Sequence, residues 1–235
     1  MFAVGDVVEL DGEDARKLIV VLRRGQGDPL EIVDSAGRAY GATLILETSR
    51  GARARLEREL AAPRGPALRV TLAQGIPKGQ KMEYVVEKGT ELGVAAFVPF
   101  LAERSVAEGP RDGKLERWRR VARAAAQQCG RLDVPEVAAP LDFQGLLDLI
   151  PTCRVAVVPW ELAEAVPLRE RLPELLAGAD SALVAIGPEG GFAHAEARAL
   201  ERAGAHLVSL GSRIFRTETA GLVACSALYY ESSDL

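Results

Sequence analysis

"SALVAIGPEGGF", residues 181–192, is the stretch on which the fold turns. Ser181 to Ile186 is an apolar run of strand length, and three glycines follow it within five positions. A helical pattern, Ala193 to Ala203, comes next. A buried strand that runs through a glycine loop into a helix is the repeating unit of a parallel α/β sheet. Such a loop brings bare backbone close to a ligand. Phosphate-binding loops carry a lysine or stay uncharged, whereas this one places Glu189 at its centre. The ligand it suits carries positive charge and no phosphate.

The same rhythm extends in both directions. Apolar runs at 68–72, 94–100, 154–158 and 206–210 alternate with helical patterns at 78–92 and 113–128, and a last helix is expected over 217–231. Strands separated by helices predict a mostly parallel sheet with helices on both faces. Before residue 66 the pattern differs. Short strands at 4–10, 28–34 and 38–46, with one helix-like piece at 13–22 and a hairpin loop at Ser35-Ala-Gly37, predict a small β-barrel. Pro63-Arg-Gly-Pro66 marks the boundary. The expectation is a small β-rich domain over 1–66 and an α/β domain over 67–235.

Composition excludes several classes of function. The chain has 235 residues, 48% of them apolar, enough for a sizeable core. No run approaches the roughly 20 apolar residues of a membrane helix. The first residues lack a basic stretch followed by an apolar one, so no signal peptide and a cytoplasmic location are expected. Cys129, Cys153 and Cys225 are far apart, and with only His194 and His206 beside them they offer no metal-ligand spacing. The net charge of -4 weighs against nucleic acid as a partner, but the acidic excess lies wholly after residue 150. Arginine outnumbers lysine 24 to 5, and arginine is the better fork for phosphate contacts.

Ligands of open α/β sheets bind where strands end at their carboxyl side. Three such ends stand out: Val157-Val-Pro-Trp-Glu161, Ile186-Gly-Pro-Glu-Gly-Gly-Phe192 and Leu210-Gly-Ser-Arg-Ile-Phe-Arg-Thr-Glu-Thr-Ala220. The chain has no G-x-x-x-x-G-K-[ST] and no G-x-G-x-x-G, which disfavours a kinase, an ATPase or an ordinary dinucleotide enzyme. It has no G-x-S-x-G either, which disfavours an α/β-hydrolase. Backbone donors and acceptors suit the edge of an adenine, apolar loop residues its faces, and a carboxylate a cation. S-adenosylmethionine combines an adenosine with a sulfonium and an amino group.

"IGPEGGF" (186–192) and "LGSRIFRTETA" (210–220) resemble the two C-terminal cofactor motifs of the RsmE family. Those are 16S ribosomal RNA methyltransferases that act on N3 of uridine 1498, within the knotted SPOUT superfamily. "KGQKMEYVVEKGTELGV" (78–94), "PFLAERSV" (99–106), "RWRRVARAAAQQCGRLDVPEV" (117–137) and "VLRRGQGD" (21–28) resemble further segments of that family in the same order. Ser212 and Phe215 stand where that family's pattern has proline and leucine. Asp14-Ala-Arg-Lys17 stands where it has a histidine pair.

The resemblance implies a PUA-like barrel followed by a SPOUT-type α/β domain with a C-terminal trefoil knot, working as a homodimer on the 16S RNA of the small ribosomal subunit. It implies S-adenosylmethionine held by Pro159 and Trp160, by Gly187, Pro188, Glu189, Gly190 and Gly191, and by Leu210, Gly211, Ile214, Phe215, Arg216, Thr217 and Thr219. Uracil N3 must lose its proton before it attacks a methyl group. Arg216 is the candidate cation beside the uracil anion, Glu218 the candidate proton acceptor, and Arg104 a second cation. Arg16, Lys17, Arg23 and Arg24 of the barrel, with Arg123, Gln128 and Arg131, are the candidates for gripping the RNA backbone.

Each feature also has a plainer reading. The glycines could form an ordinary strand-to-helix turn, Arg216 and Glu218 a surface ion pair, and Thr217 a simple helix cap. Arg104 could be a salt bridge between elements. The Arg117, Arg119, Arg120, Arg123 run could be a solvated helix face, and the cysteines could be small core residues. Two other functions stay open: a knotted methyltransferase acting on a ribose 2′-hydroxyl, and a ribosome-binding factor that has lost catalysis.

Overall fold

Alternation of small apolar and charged side chains builds the first sheet. In β4, Ala52–Leu60, the inward residues Ala52, Ala54 and Leu56 are buried while Arg53 and Arg55 are exposed. This strand is missing from the expectations above. Its inward side chains are mostly alanine and its outward ones arginine and glutamate, a composition that favours helix on local grounds. β4 is antiparallel to β1, Val7–Glu9, and to β3, Ala39–Leu46, and β3 also pairs with β2, Pro29–Val33. The order is β1-β4-β3-β2, with a bulge at Gly41/Ala42. Tyr40, Leu44 and Leu56 fill the interior. The helix-like piece is in two parts. α1, Gly12–Arg16, is capped by the Asp11 carboxylate, which accepts from the N–H groups of Glu13 and Asp14. A wider turn over 17–21 follows, in which the Leu22 N–H reaches back five residues to the Lys17 carbonyl.

Residues 2–34, 37–46, 51–61, 66–105, 113–161 and 166–234 are described by the computed structural model. Ser35 and Ala36 of the hairpin, residues 63–65 of the Pro/Gly stretch, and Val106 lie outside them. The chain divides into two compact units, Met1–Arg64 and Gly65–Leu235.

The second unit is built on six parallel strands: β5 Arg69–Gly75, β6 Ala96–Phe100, β7 Glu136–Val137, β8 Val155–Pro159, β9 Ser181–Ile186 and β10 His206–Val208. Their order is β10-β8-β9-β5-β6-β7, and every pairing is parallel. The two-residue period of the strands feeds two cores. Val70, Leu72, Val157, Ala182 and Val184 face one core with residues of α2 (Lys81–Leu92), α3 (Lys114–Cys129), α5 (Leu168–Leu175) and α7 (Thr217–Glu231). Ala73, Ala156, Val158, Leu183 and Ala185 face the other, with residues of α4 (Phe143–Leu149) and α6 (His194–Arg202). Both faces are therefore covered, which explains why these strands read as unbroken apolar runs. No described helix is long and apolar enough to cross a membrane.

α7 spans the residues its pattern predicts, and its buried stripe is Thr217, Gly221, Ala224, Cys225, Leu228 and Tyr229. Cys225 is a core residue whose thiol is pushed up to about 12 by burial, whereas Cys153 is half-buried and Cys129 exposed. Two contacts tie the far end of α7 to the end of α2 and to the segment that leads into β5. The Tyr229 hydroxyl donates to the Gly93 carbonyl, and the Asp234 carboxylate accepts from the N–H groups of Ala67 (2.8 Å) and Leu68 (3.0 Å). Burial opposes the charge on Asp234, but those N–H groups and the Ser232 hydroxyl outweigh it and hold its carboxyl below the usual range. Asp234→Ala is therefore expected to cost about 1–3 kcal/mol in urea unfolding at pH 7. A carboxyl with a depressed pKa stabilises the fold above its unfolded value of 3.8 and stops doing so as pH falls through the depressed one. The difference between wild type and variant should thus close on the acid side only.

Candidate active site

The strand ends singled out above meet in space. A pocket of about 380 Å³ opens at the carboxyl edge of β8 and β9, bordered by the start of α7. Pro159, Gly187, Pro188, Glu189, Gly191, Ile214, Phe215, Arg216 and Thr217 line it, all of them expected there. Glu218 lines it too. Five other expected residues are not among those that line it. Trp160 is buried, and its indole N–H donates to the Phe192 carbonyl at 3.3 Å. Gly190 lies against Arg104, whose guanidinium donates to the Gly190 carbonyl at 3.2 Å. Leu210 packs on the core. Gly211 has φ +107 and donates its N–H to the Ser209 hydroxyl. Thr219 belongs to the first turn of α7 and donates its N–H to the Arg216 carbonyl.

The glycines are there for close approach. A Cβ on Gly187 would come within 3.0 Å of the Gly191 carbonyl carbon, and one on Gly190 within 2.9 Å of Arg104 Cβ. Gly191, at φ +65, faces the Glu161 carboxylate at 2.6 Å from where a Cβ would stand. The loop is thus folded on itself, with its backbone as the pocket wall. α6 follows at once, and buried Glu196 ties the site together. Its two oxygens accept from the Ala193 N–H (2.9 Å) and the Glu103 N–H (2.8 Å), so the loop that carries Arg104 is fastened to the glycine loop.

The plainer readings of the Arg-Thr-Glu-Thr cluster do not describe this structure. Arg216 and Glu218 are not paired; Arg216 is exposed and enters no ion pair among the described residues. Thr217 does not cap its helix. Its hydroxyl donates 2.6 Å to the Gly187 carbonyl across 30 residues of sequence.

The sequence reading missed Lys81. Its ammonium lies 3.2 Å from Glu189 and 3.4 Å from Glu218, joining the glycine loop to the start of α7. Glu189 also accepts from the Lys78 N–H at 3.0 Å. The signal lay in the segment after β5, Gly75-Ile-Pro-Lys-Gly-Gln-Lys81, a fourth strand end at the same sheet edge. Gln74, Gly75 and Glu161 were missed with it. The hydrogen bond to Glu189 raises the Lys81 ammonium above its ordinary 10.5, against burial. Burial opposes the charge on Glu189, but the Lys78 N–H and Lys81 outweigh it and hold the carboxyl below 4.5. The lysine's contribution is complete below 10.5 and fades as pH climbs through its raised value. The carboxylate's is complete above 4.5 and fades as pH drops through its lowered value. Ligand affinity is accordingly expected to be level between about pH 6 and 9 as far as this bridge is concerned. Lys81→Met leaves two carboxylates at the pocket without their shared cation. The more acidic pocket by itself favours a cationic ligand, but untying the glycine loop from α7 costs more, so binding should weaken about threefold in calorimetry, with Lys81→Arg closer to wild type.

The expected RNA-contacting residues fall into two sets. Arg16, Lys17, Arg23 and Arg24 are exposed along one short stretch of the first unit, with Arg23 at φ +52. In the second unit Arg123 and Gln128 are exposed on α3. Arg131 has another occupation. Its guanidinium donates to the carbonyls of Thr90 and Val94, both at 2.9 Å, and pairs with Asp133, leaving the side chain 13% exposed. Of the basic helix face, Arg117 pairs with Glu83 and Arg119 with Glu116. Among the described residues no group of acidic, histidine and cysteine side chains could hold a metal ion.

Residues 64–229 match the family model described as an RNA methyltransferase domain. The chain is 33% identical over 240 residues to "Ribosomal RNA small subunit methyltransferase E" of Bacillus subtilis, covering 95% of this chain and 90% of that one. It is 35% identical over 234 residues to the protein of that name from Mycobacterium bovis, covering 95% and 86%. In three dimensions it is similar to a ribosomal RNA small subunit methyltransferase E from Neisseria gonorrhoeae bound to S-adenosyl methionine. There the TM-score is 0.87 and the identity 30%, over 98% of this chain and 94% of that one. With likeness of this extent in sequence and in fold, the chain belongs to the RNA methyltransferase family that the ribosomal RNA small subunit methyltransferases E represent.

Proposed function

We propose that this protein methylates N3 of uridine 1498 in the 16S RNA of the small ribosomal subunit, with S-adenosylmethionine as the methyl donor. One observation carries the reading. Two loops far apart in sequence, Gly187 to Phe192 and Ile214 to Glu218, converge on one pocket in a family whose Neisseria gonorrhoeae relative binds that cofactor. The pocket fits the molecule in size and chemistry. Its wall is backbone from the glycine loop, Ile214 and Phe215 offer apolar surface, and three carboxylates (Glu161, Glu189, Glu218) against two cations (Lys81, Arg216) favour a cationic ligand.

Bound there, the cofactor supplies an electrophilic methyl group, so the protein's task is to align and activate the acceptor. The loop backbone and Thr217 hold the adenosine side of the pocket in shape. Arg216, exposed and with no ion pair among the described residues, stabilises negative charge on the uracil as its N3 proton leaves. Glu218, which lines the same pocket, accepts that proton in this reading. Arg104 adds positive charge beside the glycine loop. The target base must leave its stack to be reached. Arg16, Lys17, Arg23, Arg24, Arg123 and Gln128 hold the flanking phosphates. Arg131 is left out because four of its five N–H groups are engaged by Thr90, Val94 and Asp133.

The finer architecture belongs to the same proposal. The four-stranded sheet is the core of a PUA-like barrel, and the segment leading into α7 is threaded as a trefoil knot. The return of α7 from the edge strand β10 to the core face of β5 and β9 supports that path. A homodimer is supported by the second side of α7, where Leu222, Val223 and Ala227 are only half-covered and Tyr230 is 78% exposed.

The test is methyl transfer. Pure protein, methyl-labelled S-adenosylmethionine and small ribosomal subunits lacking the modification are incubated, and the RNA is digested to nucleosides. Label is expected in 3-methyluridine at one site. Label in a ribose-methylated nucleoside overturns the N3 chemistry, and cofactor binding without any label points to a binding factor.

A further inference from the structure

Gln74 sits in the centre of the second unit's sheet, on β5, and is wholly buried. Its amide nitrogen donates to the Thr217 hydroxyl at 2.8 Å and to the Gly75 carbonyl at 3.1 Å. Thr217 in turn donates to the Gly187 carbonyl at 2.6 Å. The direction of this relay follows from chemistry. A carbonyl can only accept, so the single hydroxyl proton of Thr217 is committed to Gly187. The hydroxyl must then accept from Gln74, which places the amide nitrogen toward Thr217. The amide oxygen is left buried, with no hydrogen-bond partner among the described residues. A buried acceptor left unpaired costs stability, and a leucine here would avoid that cost. A glutamine in this position needs a reason.

The surroundings supply it. Beside this amide two backbone segments approach each other more closely than a side chain allows, and a glycine of α7 sits against the amide itself. A Cβ on Gly75 would stand 2.5 Å from Pro188 N, and one on Gly221 3.3 Å from the Gln74 amide oxygen. The end of β5 lies directly on the Gly187–Pro188 peptide, α7 packs on β5 through the Leu72 and Gln74 side chains, and the relay links all three segments. We propose that Gln74 is a positioning residue for methyl transfer. Acting through Thr217, it sets where the Gly187–Pro188 wall stands relative to Arg216 and Glu218, and so sets the shape of the cofactor pocket. The inference rests on the cofactor reading above and adds to it a residue that touches neither cofactor nor RNA.

The experiment measures S-adenosylmethionine affinity by calorimetry and melting temperature on the same preparations of the full chain. Gln74→Leu is expected to weaken binding at least tenfold, and Thr217→Val by a similar factor. The double variant should bind no worse than the weaker of the two, because both break one relay. Thr217→Ser keeps the hydroxyl and should stay within about threefold of wild type. Gln74→Glu is the most telling. Its carboxylate accepts where the amide donated, drawing the Thr217 proton away from Gly187. Its affinity should therefore fall as pH rises from about 6 to 9, a range in which wild type is level. It also serves where Gln74→Leu fails to fold. The proposal is overturned if Gln74→Leu melts lower but binds within twofold of wild type, or if the losses from Gln74→Leu and Thr217→Val multiply. Wild-type protein that takes up no S-adenosylmethionine overturns the cofactor reading itself, before any variant is compared.

Discussion

Gly75→Ala is expected to weaken cofactor binding by about two orders of magnitude while leaving a folded protein. The added methyl would stand 2.5 Å from Pro188 N, 2.8 Å from Pro188 Cδ and 2.9 Å from the Gly187 carbonyl carbon. None of these is the flexible end of a side chain. Two are backbone atoms and the third belongs to a ring. Both strands are hydrogen-bonded into the sheet up to this point, with Gln74 paired to Ile186, so the strain cannot spread backwards. It has to push the Gly187–Pro188 peptide into the pocket that this peptide lines. Overpacking of this kind costs roughly 1–3 kcal/mol of stability. A wall displaced by the better part of an ångström costs more in binding than in folding, because the ligand reads the position directly. Gly12→Ala is the control, since a methyl there meets nothing within 4 Å. Calorimetry and melting on both proteins decide the matter. Unaltered affinity in Gly75→Ala would mean that the close approach does not shape the pocket.

Arg216→Ala should lower kcat for RNA methylation by about 10²–10³-fold and leave cofactor affinity within a few-fold of wild type. Arg216 precedes the first residue of α7, with extended backbone at φ -66 and ψ 151, so its side chain is set by the loop rather than by a helical rotamer. It has no carboxylate partner among the described residues, although Glu218 is two positions away. Glu218 is instead drawn to Lys81, which keeps the arginine's charge available for a ligand. An arginine beside a pocket with no counter-ion among the described residues is the group that a developing anion on a base would meet. Arg216→Lys retains charge but loses the planar fork and should recover only part of the rate. Single-turnover methylation and cofactor calorimetry separate the two effects. A variant that loses cofactor affinity and rate in proportion would move Arg216 from the chemistry to the cofactor's own contacts.

Much of this was legible along the chain because the signals are local. The apolar run of 181–186, the three glycines after it and the helical pattern of 217–231 are each complete within about fifteen residues. They placed β9, the loop and α7 correctly. β4 escaped because alanine, arginine and glutamate favour helix locally, and only the packing of Ala52, Ala54 and Leu56 against the rest of the first unit overrides that preference.

The limit of the sequence is reached where one residue's meaning depends on a distant partner. From residue types and spacing alone came the α/β rhythm, the glycine loop and the Arg-Thr-Glu-Thr cluster. The tertiary structure decided what those residues spend their bonds on. Gln74 and Thr217 are 143 positions apart, and Lys81 and Glu189 are 108 apart, so no local pattern joins them. Arg131 reads as a nucleic-acid contact until its donors are seen to be taken by two backbone carbonyls and an aspartate. Thr217 reads as a helix cap until its hydroxyl is seen to cross to Gly187. A hydrogen bond holds one donor proton, and which acceptor takes it is settled only when the chain has folded.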